Sequence, residues 1–254
     1  MTMQISDSNV FSHDMRVRCY EQDFKTRLRA GEVFNWFQET AGGHCRLRKV
    51  AIEDIIPLGY TWIIHRYKVV VHKMPVYEQE CKVSTWAQPK RDLISIRDFK
   101  IESQSGERLV SATTQWALIE LATQRPAKLS AAIPDFKACT DRALDEDLKP
   151  IKIPEDAPLV DTFQVSAAAW HIDVNNHVNN SVYVFWMYDS IYARIKATPV
   201  LREVEVNYKK QAFFGQKIDL KCFSPSAGVY YHDIVLHDTG ETLAVIRSLW
   251  DKEA

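Results

Sequence analysis

The sequence predicts an α+β chain built as two tandem modules, each with one long helix and an antiparallel sheet wrapped around it. Three observations predict it. The stretch Asp23-Phe-Lys-Thr-Arg-Leu28 returns 150 residues later (23 to 173) as Asp173-Val-Asn-Asn-His-Val178, and the same spacing pairs Trp36 with Trp186 and Glu39 with Asp189. Gly106-Glu-Arg-Leu109 followed by Trp116 returns 134 residues later (106 to 240) as Gly240-Glu-Thr-Leu243 followed by Trp250. The two matches keep the same order, which a duplicated module leaves behind. The spacing shortens between them because the first copy has the longer connection from helix to strands, as an insertion in a surface loop would make it. The third observation is the element order itself, shared by both copies: a leading strand, a turn, a long helix and several strands.

In the first copy, residues 15–20 read as the leading strand and 30–44 as the helix. Val33, Phe34 and Phe37 fall at helical spacing, and Gly42-Gly43 supplies a stop. Residues 60–71, 79–87, 93–102 and 108–121 read as strands, with Gly106 in a hairpin turn. In the second copy the helix falls at 180–196 and the strands at 200–209, 217–224, 229–237 and 242–251. A helix with a broad apolar stripe must bury it, and the strands that follow supply the surface. One sheet wrapped on one helix, twice over, is a double hot-dog. Residues 122–160 contain Pro126, Pro134, Pro150, Pro154 and Pro158 among mixed charges. They read as an extended linker with a short helix near 141–148. The module boundaries follow: 1–125 and 161–254, with 126–160 between them.

Composition narrows the function classes. Lys plus Arg total 32 against 33 Asp plus Glu, so the basic excess that usually marks nucleic-acid binding is missing. No run approaches the ~20 apolar residues of a membrane helix, and the polar first twenty residues do not resemble a signal peptide. Five scattered cysteines without a Cys-x-x-Cys pair indicate neither a disulfide framework nor a zinc site, and fit free thiols in a reducing cytoplasm. No Gly-x-Ser-x-Gly elbow, glycine-rich phosphate loop or His-Glu-x-x-His motif occurs.

The repeat also acts as an internal control on the site. Asp173 and Val178 are matched by Asp23 and Leu28, whereas Asn175, His177 and Asn180 stand opposite Lys25, Arg27 and Ala30. Scaffold positions persist while polar ones differ. Asn175, His177 and Asn180 therefore look specific to one site, although Asp173, Asn175 and Asn180 equally suit turn and cap positions. His177 titrates near neutral pH and precedes a helix whose backbone N–H groups can stabilise an oxyanion. A carboxylate and a histidine so close can orient and activate water, with the Asn175 amide on the carbonyl or on the water. His171, six residues from His177, is poorly spaced for a shared helix face and reads as structural.

The stretch Asp173-Val-Asn-Asn-His-Val-Asn-Asn-Ser-Val-Tyr-Val-Phe-Trp186 resembles the D-x-N-x-H-V-N-N signature of the acyl-acyl-carrier-protein thioesterases of plants and bacteria. The first half is similar to that family at Arg18-Cys-Tyr-Glu21, Phe34-Asn-Trp-Phe-Gln-Glu-Thr-Ala41, Gly59-Tyr-Thr-Trp62 and Arg97-Asp-Phe99. The resemblance implies hydrolysis of fatty acyl thioesters of acyl carrier protein, with acyl-CoA hydrolysis or non-catalytic acyl-thioester binding as alternatives. It implies catalytic Asp173, Asn175 and His177, flanked by Val178 and Asn179 at the substrate. It also implies an acyl pocket in the first module walled by Trp62, no metal, and no cofactor beyond the phosphopantetheine on the substrate. The family pattern expects a Glu, often followed by Cys, on the strand after the helix; Gln211 and Ala212 stand there. An amide cannot act as a general base. The base is then His177 or Asp173, or the register differs by a residue or two, or the chain is a slow or inactive member. An acidic carrier calls for a basic face, for which Arg46, Arg48, Lys49, Lys90, Arg91, Lys209 and Lys210 are candidates. A cytoplasmic protein, with a homodimer open as its assembly, completes the expectation.

Overall fold

The computed structural model describes residues 3–6, 9–89, 91–195 and 200–251. Its contacts divide into two units, Met1–Arg29 with Asn35–Leu148, and Ala30–Phe34 with Lys149–Ala254. The first unit contains β1 (Met3–Ile5), β2 (Phe11–Arg16), most of α1 (Ala30–Leu47) and α2 (Ile52–Ile55). It continues with β3 (Tyr60–Val71), β4 (Glu80–Ala87), β5 (Ser95–Ser103), β6 (Arg108–Glu120) and β7 (Arg125–Ala127). The second contains β8 (Leu159–Ser166), α3 (Asn180–Ile195), β9 (Val200–Tyr208), β10 (Lys217–Ser226), β11 (Val229–Leu236) and β12 (Thr242–Asp251).

Within the first unit the strands run β1-β2-β4-β5-β6-β3, with β7 beside β6; within the second they run β9-β12-β11-β10-β8. Every neighbouring pair in these runs is antiparallel. From the leading strand onward, β2-β4-β5-β6-β3 and β8-β10-β11-β12-β9 trace the same path. The fold is thus the hot-dog twice over. The duplication reaches single hydrogen bonds. The N–H groups of His72 and Lys73 both donate to the Leu109 carbonyl, at 2.9 and 3.1 Å, and those of Lys209 and Lys210 both donate to Leu243, at 2.8 and 3.0 Å. Trp116 Nε1 donates to Thr114 Oγ1 and Trp250 Nε1 to Ser248 Oγ, each at 2.8 Å. Gly106 and Gly240 turn their hairpins at φ +86° and +69°, where a β-carbon is disfavoured.

Within each unit the strands hold helix side chains. In the first, Phe37 lies on Phe99 with ring centroids 4.8 Å apart, and Trp36 Nε1 donates to Glu21 Oε1. In the second, α3 buries Val182, Tyr183, Val184, Trp186, Met187 and Ile191. Its apolar residues spread round most of its circumference, as in a helix covered on more than one side. Each such side chain contributes roughly 1.5–3 kcal/mol by leaving water.

Four sequence expectations change. Gly42-Gly43 does not stop α1, which continues to Leu47. A β-carbon on Gly43 would lie 2.9 Å from Phe11 Cζ, so the glycine admits the Phe11 ring instead of ending the helix. The leading strand β2 lies several residues earlier than 15–20, and β8 begins inside the proline-bearing stretch read as linker. The short helix near 141–148 is not formed. The Asp141 carbonyl accepts from Trp86 Nε1 at 2.7 Å, so a side chain of the sheet holds a carbonyl that the helix would need. The last residue of the predicted second helix, Lys196, lies outside the described residues.

Candidate active site

The segment 171–180 forms a tight loop ahead of α3, closed by an antiparallel bridge between Ile172 and Val178. Asp173 builds the loop. Its backbone N–H donates to the His177 carbonyl at 3.0 Å, its carbonyl accepts from Asn176 N–H at 3.0 Å, and its Oδ1 accepts from Asn175 N–H at 2.8 Å. Asn176 takes the left-handed conformation, φ +61°, that asparagine tolerates. Asn175 is thereby held at an exposed tip. Its side-chain amide reaches back to Asp173 Oδ2 at 3.5 Å, a long contact that leaves the amide available for another partner.

His177 points inward from this loop, its side chain 16% exposed. Its Nδ1 lies 3.2 Å from the Val178 carbonyl and 3.8 Å from Asp173 Oδ1. A carbonyl only accepts, so the shorter contact places the proton on Nδ1 and the lone pair on Nε2. Asp173 lies beyond hydrogen-bond distance of the ring.

Val178 and Asn179 serve the scaffold. Val178 is 1% exposed. Asn179 is the residue that caps α3, its Oδ1 accepting from Ser181 N–H at 2.9 Å and Ser181 Oγ at 3.0 Å. The Asn179 carbonyl accepts from Val182 N–H at 3.0 Å. Two amides of the first turn are therefore already used, which narrows the set of helix N–H groups expected to face an oxyanion. Asn180, which the sequence offers as a cap, is not one: it is the first residue of α3, and its carbonyl accepts from Tyr208 Oη at 2.8 Å.

Gln211 is not on a strand. β9 ends at Tyr208, and Gln211 follows in an exposed connection. That connection is fastened beside the His177 loop: Val178 N–H donates to the Ala212 carbonyl at 2.8 Å, and Gly215 N–H to the Ala167 carbonyl at 2.8 Å. Asp173, Asn175, His177 and Gln211 thus come from two loops stitched together next to the helix start. Sequence reading missed Tyr208, whose buried hydroxyl meets the Asn180 carbonyl at the helix start. Its signal lies in the repeat, where Val71 occupies the matching place.

His171 is a structural group. It is 6% exposed, its Nδ1 accepts from Ala168 N–H at 2.8 Å, and its ring meets Trp186 edge-on at 5.2 Å. Burial pushes its pKa down, so it stays neutral. Trp62, in the first unit, donates from Nε1 to the Val50 carbonyl at 3.0 Å. It packs half-buried, with Tyr60 and Ile133, on Ile55, Leu118 and Leu129. Among the basic candidates, Arg46 pairs with Glu39 at 3.3 Å, Arg91 with Asp147 at 3.7 Å, and Lys210 with Glu241. Arg48 donates to Asn9 and lies over the Phe136 ring at 5.2 Å. Lys49 and Lys209 are exposed, and Lys90 lies outside the described residues. Among the described residues no group of His, Cys, Asp and Glu is arranged to hold a metal ion, and no helix is long and apolar enough to cross a membrane.

The family model for the acyl-ACP thioesterase N-terminal domain matches residues 8–135, and that for the C-terminal domain matches residues 156–252. A palmitoyl-acyl carrier protein thioesterase, chloroplastic, of Gossypium hirsutum is 26% identical over 219 residues, 82% of this chain and 53% of that protein. The chain thus spans about half the length of that curated relative. Among solved structures, an acyl-ACP thioesterase from Bacteroides thetaiotaomicron matches with a TM-score of 0.82 at 23% identity, covering 97% of this chain and 100% of that one. The 12:0-ACP thioesterase from Umbellularia californica matches with a TM-score of 0.83 at 18% identity, covering 98% and 100%. At such identities the structural likeness speaks for the fold, and the family models carry the assignment: the chain belongs to the acyl-ACP thioesterase family.

Proposed function

We propose that the chain hydrolyses fatty acyl thioesters of acyl carrier protein to free fatty acid and holo carrier protein, with His177 as general base. The observation that carries this reading is the His177 ring, whose Nδ1 contact with the Val178 carbonyl directs a basic Nε2 away from the backbone. In the reaction Nε2 takes a proton from water, and the water oxygen bonds to the thioester carbonyl carbon. The carbon–sulfur bond then breaks, and the departing sulfur takes the proton back from the imidazolium. The Asn175 amide donates to the substrate carbonyl oxygen, Gln211 orients the water, and Asp173 holds the loop. No cofactor of the protein's own enters, since the pantetheine thiol arrives on the substrate.

The acyl chain is assigned to the first unit beside Trp62, supported by the apolar cluster around it. Val178 and Asn179 serve the substrate indirectly, by fixing the loop under it. The exposed Lys49 and Lys209 are the basic residues best disposed to meet an acidic carrier. A cytoplasmic setting belongs to the same proposal, supported by five free cysteines. So does a homodimer, which light scattering would read directly.

The deciding experiment is hydrolysis by purified protein of a panel of acyl carrier protein thioesters from short to long. Turnover is expected, and its absence across the panel removes the reading. Comparing kcat/KM for acyl carrier protein and CoA thioesters separates the two carriers. Gln211 favours a second reading, acyl-thioester binding without turnover, because an amide stands where the family pattern has a carboxylate. Tight binding with no product would establish that alternative.

A further inference from the structure

The segments joined to the His177 loop in the second unit carry large apolar side chains into solvent. Trp170 is 77% exposed, Val174 96% and Phe214 68%, with Phe213 next to it at 46%. Backbone bonds stitch these segments into one edge. Ala167 N–H donates to the Gln216 carbonyl at 2.9 Å, the Ala167 carbonyl accepts from Gly215 N–H at 2.8 Å, and Val178 N–H donates to the Ala212 carbonyl at 2.8 Å. Phe213 N–H donates to Gln216 Oε1 at 2.8 Å, so the aromatic tip is a closed turn. Large apolar groups gathered on one exposed edge mark a surface that another molecule covers.

Charge narrows the identity of that molecule. The aromatic turn is bounded by Lys209 and Lys210 on one side and Lys217 on the other, all three exposed. Lys210 is paired with Glu241. Lys209 and Lys217 are thus placed to receive negative charge at the border of the apolar tip, the arrangement of a docking surface with an apolar centre and a charged rim.

The first unit acts as a control, because it repeats this edge bond for bond. Val17 N–H donates to the Gln79 carbonyl at 3.2 Å, the Val17 carbonyl accepts from Glu78 N–H at 3.1 Å, and Leu28 N–H donates to the Pro75 carbonyl at 2.8 Å. Val76 N–H donates to Gln79 Oε1 at 3.0 Å, as Phe213 N–H does to Gln216. Glu78 and Gly215 share the left-handed turn, at φ +62° and +81°. In the register set by these bonds, Met74 stands for Gln211, Tyr77 for Phe214, Glu78 for Gly215 and Glu80 for Lys217. The tip stays apolar and exposed in both copies, but its charge reverses: two exposed glutamates stand where the second unit has a glycine and a lysine. An acidic partner is repelled from the first edge and drawn to the second, which is also the edge with His177.

We propose that this edge of the second unit is the docking surface for acyl carrier protein: Trp170, Val174, Phe213 and Phe214 meet an apolar patch on the carrier, and Lys209 and Lys217 meet acidic groups around it. This rests on the reading of His177 given above, since the carrier has to deliver its thioester to the loop on which His177 stands. An anionic bilayer has similar chemistry, but one resting on this edge would cover that loop from the carrier. Anisotropy of fluorescently labelled holo acyl carrier protein reads the contact without turnover. Phe214→Ser is expected to weaken binding about 10-fold at any salt, and Lys217→Glu about 5-fold at low salt and less at high salt. Tyr77→Ser, at the matching place in the first unit, should leave affinity within about twofold. No binding by the unaltered protein, no loss in either second-unit variant, or an equal loss in Tyr77→Ser overturns the proposal. So does sedimentation with phosphatidylglycerol vesicles that Phe214→Ser abolishes while carrier affinity is kept. In turnover, Phe214→Ser should raise KM for carrier thioesters about 10-fold and leave kcat/KM for carrier-free acyl-pantetheine thioesters within about twofold. An equal loss on both substrates puts Phe214 at the reacting group and overturns the docking role. Carrier binding through this edge with no release of fatty acid keeps the proposal and removes the hydrolysis reading, and hydrolysis indifferent to these substitutions does the reverse.

Discussion

The loop 21–30 and the loop 171–180 are one structure used in two ways. Asp23 and Asp173 each close their loop through the same three bonds: a backbone N–H to the residue four along, a carbonyl to the residue three along, and Oδ1 to the N–H two along. Thr26 and Asn176 take the same left-handed turn, at φ +62° and +61°. Gln22 bridges Leu28 as Ile172 bridges Val178. At the fourth position the loops part. Arg27 locks onto Asp23 with Nη2 to Oδ2 at 2.9 Å, whereas His177 keeps its ring 3.8 Å from Asp173. An ion pair saturates the carboxylate and satisfies the side chain, while the histidine retains a basic nitrogen for chemistry. The aspartate thus belongs to the turn, at a position that the fold needs in both copies.

The largest expected effect separates the two fourth positions. His177→Ala should reduce kcat by at least ~100-fold, the order expected on losing a general base. Arg27→Ala should leave kcat within about twofold, because it removes a partly exposed ion pair worth at most about 1 kcal/mol of stability. Steady-state kinetics on both variants, with circular dichroism to check folding, decides. An inert His177→Ala would move the base elsewhere.

Acid exposes a feature that the two units share. His44 in the first and His232 in the second are buried, and burial pushes each down to about 3; nearby Arg97 and Arg48 add to the effect at His44. Both are neutral in the fold, while the unfolded chain binds their protons near the ordinary value of about 6.5. The folded pKa is depressed, so stability is complete above that value and falls as pH drops toward 3. At pH 5 each site should cost on the order of 2 kcal/mol. Urea titrations at pH 7 and pH 5 should show this loss, reduced by replacing His232 with Asn. Equal stability at the two pH values would mean that neither histidine is buried in solution.

The nearly equal treatment of the two loops explains what was legible in the sequence. Fold, element order and the pairing of Asp23 with Asp173 come through because duplication writes every scaffold requirement twice. Asn175 and His177 stand out for the converse reason, that their counterparts differ. The misreadings concern residues whose role depends on something distant in sequence. Gly43 reads as a helix stop until Phe11 is seen against it. The start of 141–148 reads as helical until Trp86 is seen to hold the Asp141 carbonyl. Gln211 reads as a strand residue because the local pattern continues past Tyr208, although the pairing does not. Tyr208 reads as core, and only the Asn180 carbonyl that its hydroxyl meets reveals another use.

A smaller effect sharpens the comparison at Gln211. Gln211→Glu should raise kcat about 10-fold if the side chain faces the attacking water, since a carboxylate accepts the proton that the amide cannot. The gain should fade as pH falls through about 4–5, where the new carboxylate becomes protonated. Met74→Glu, at the matching place in the first unit, should change nothing in the rate. An unchanged Gln211→Glu would leave His177 as the base acting without a second group.

The smallest effect concerns the helix starts. Asn179 caps α3 through its side chain, whereas Arg29, in the matching place before α1, makes no side-chain cap bond. Asn179→Ala should therefore cost about 1 kcal/mol of stability, the usual value of a lost N-cap, and Arg29→Ala should not incur that cost. The comparison bears on catalysis too. If Asn179 only caps, Asn179→Ser, which restores an acceptor for the first turn, should recover stability and kcat together. If Asn179 also touches substrate, stability should return while KM stays raised. Chemical denaturation and steady-state kinetics on the two Asn179 variants distinguish a scaffold residue from a binding one at a position where the fold alone already accounts for the amide.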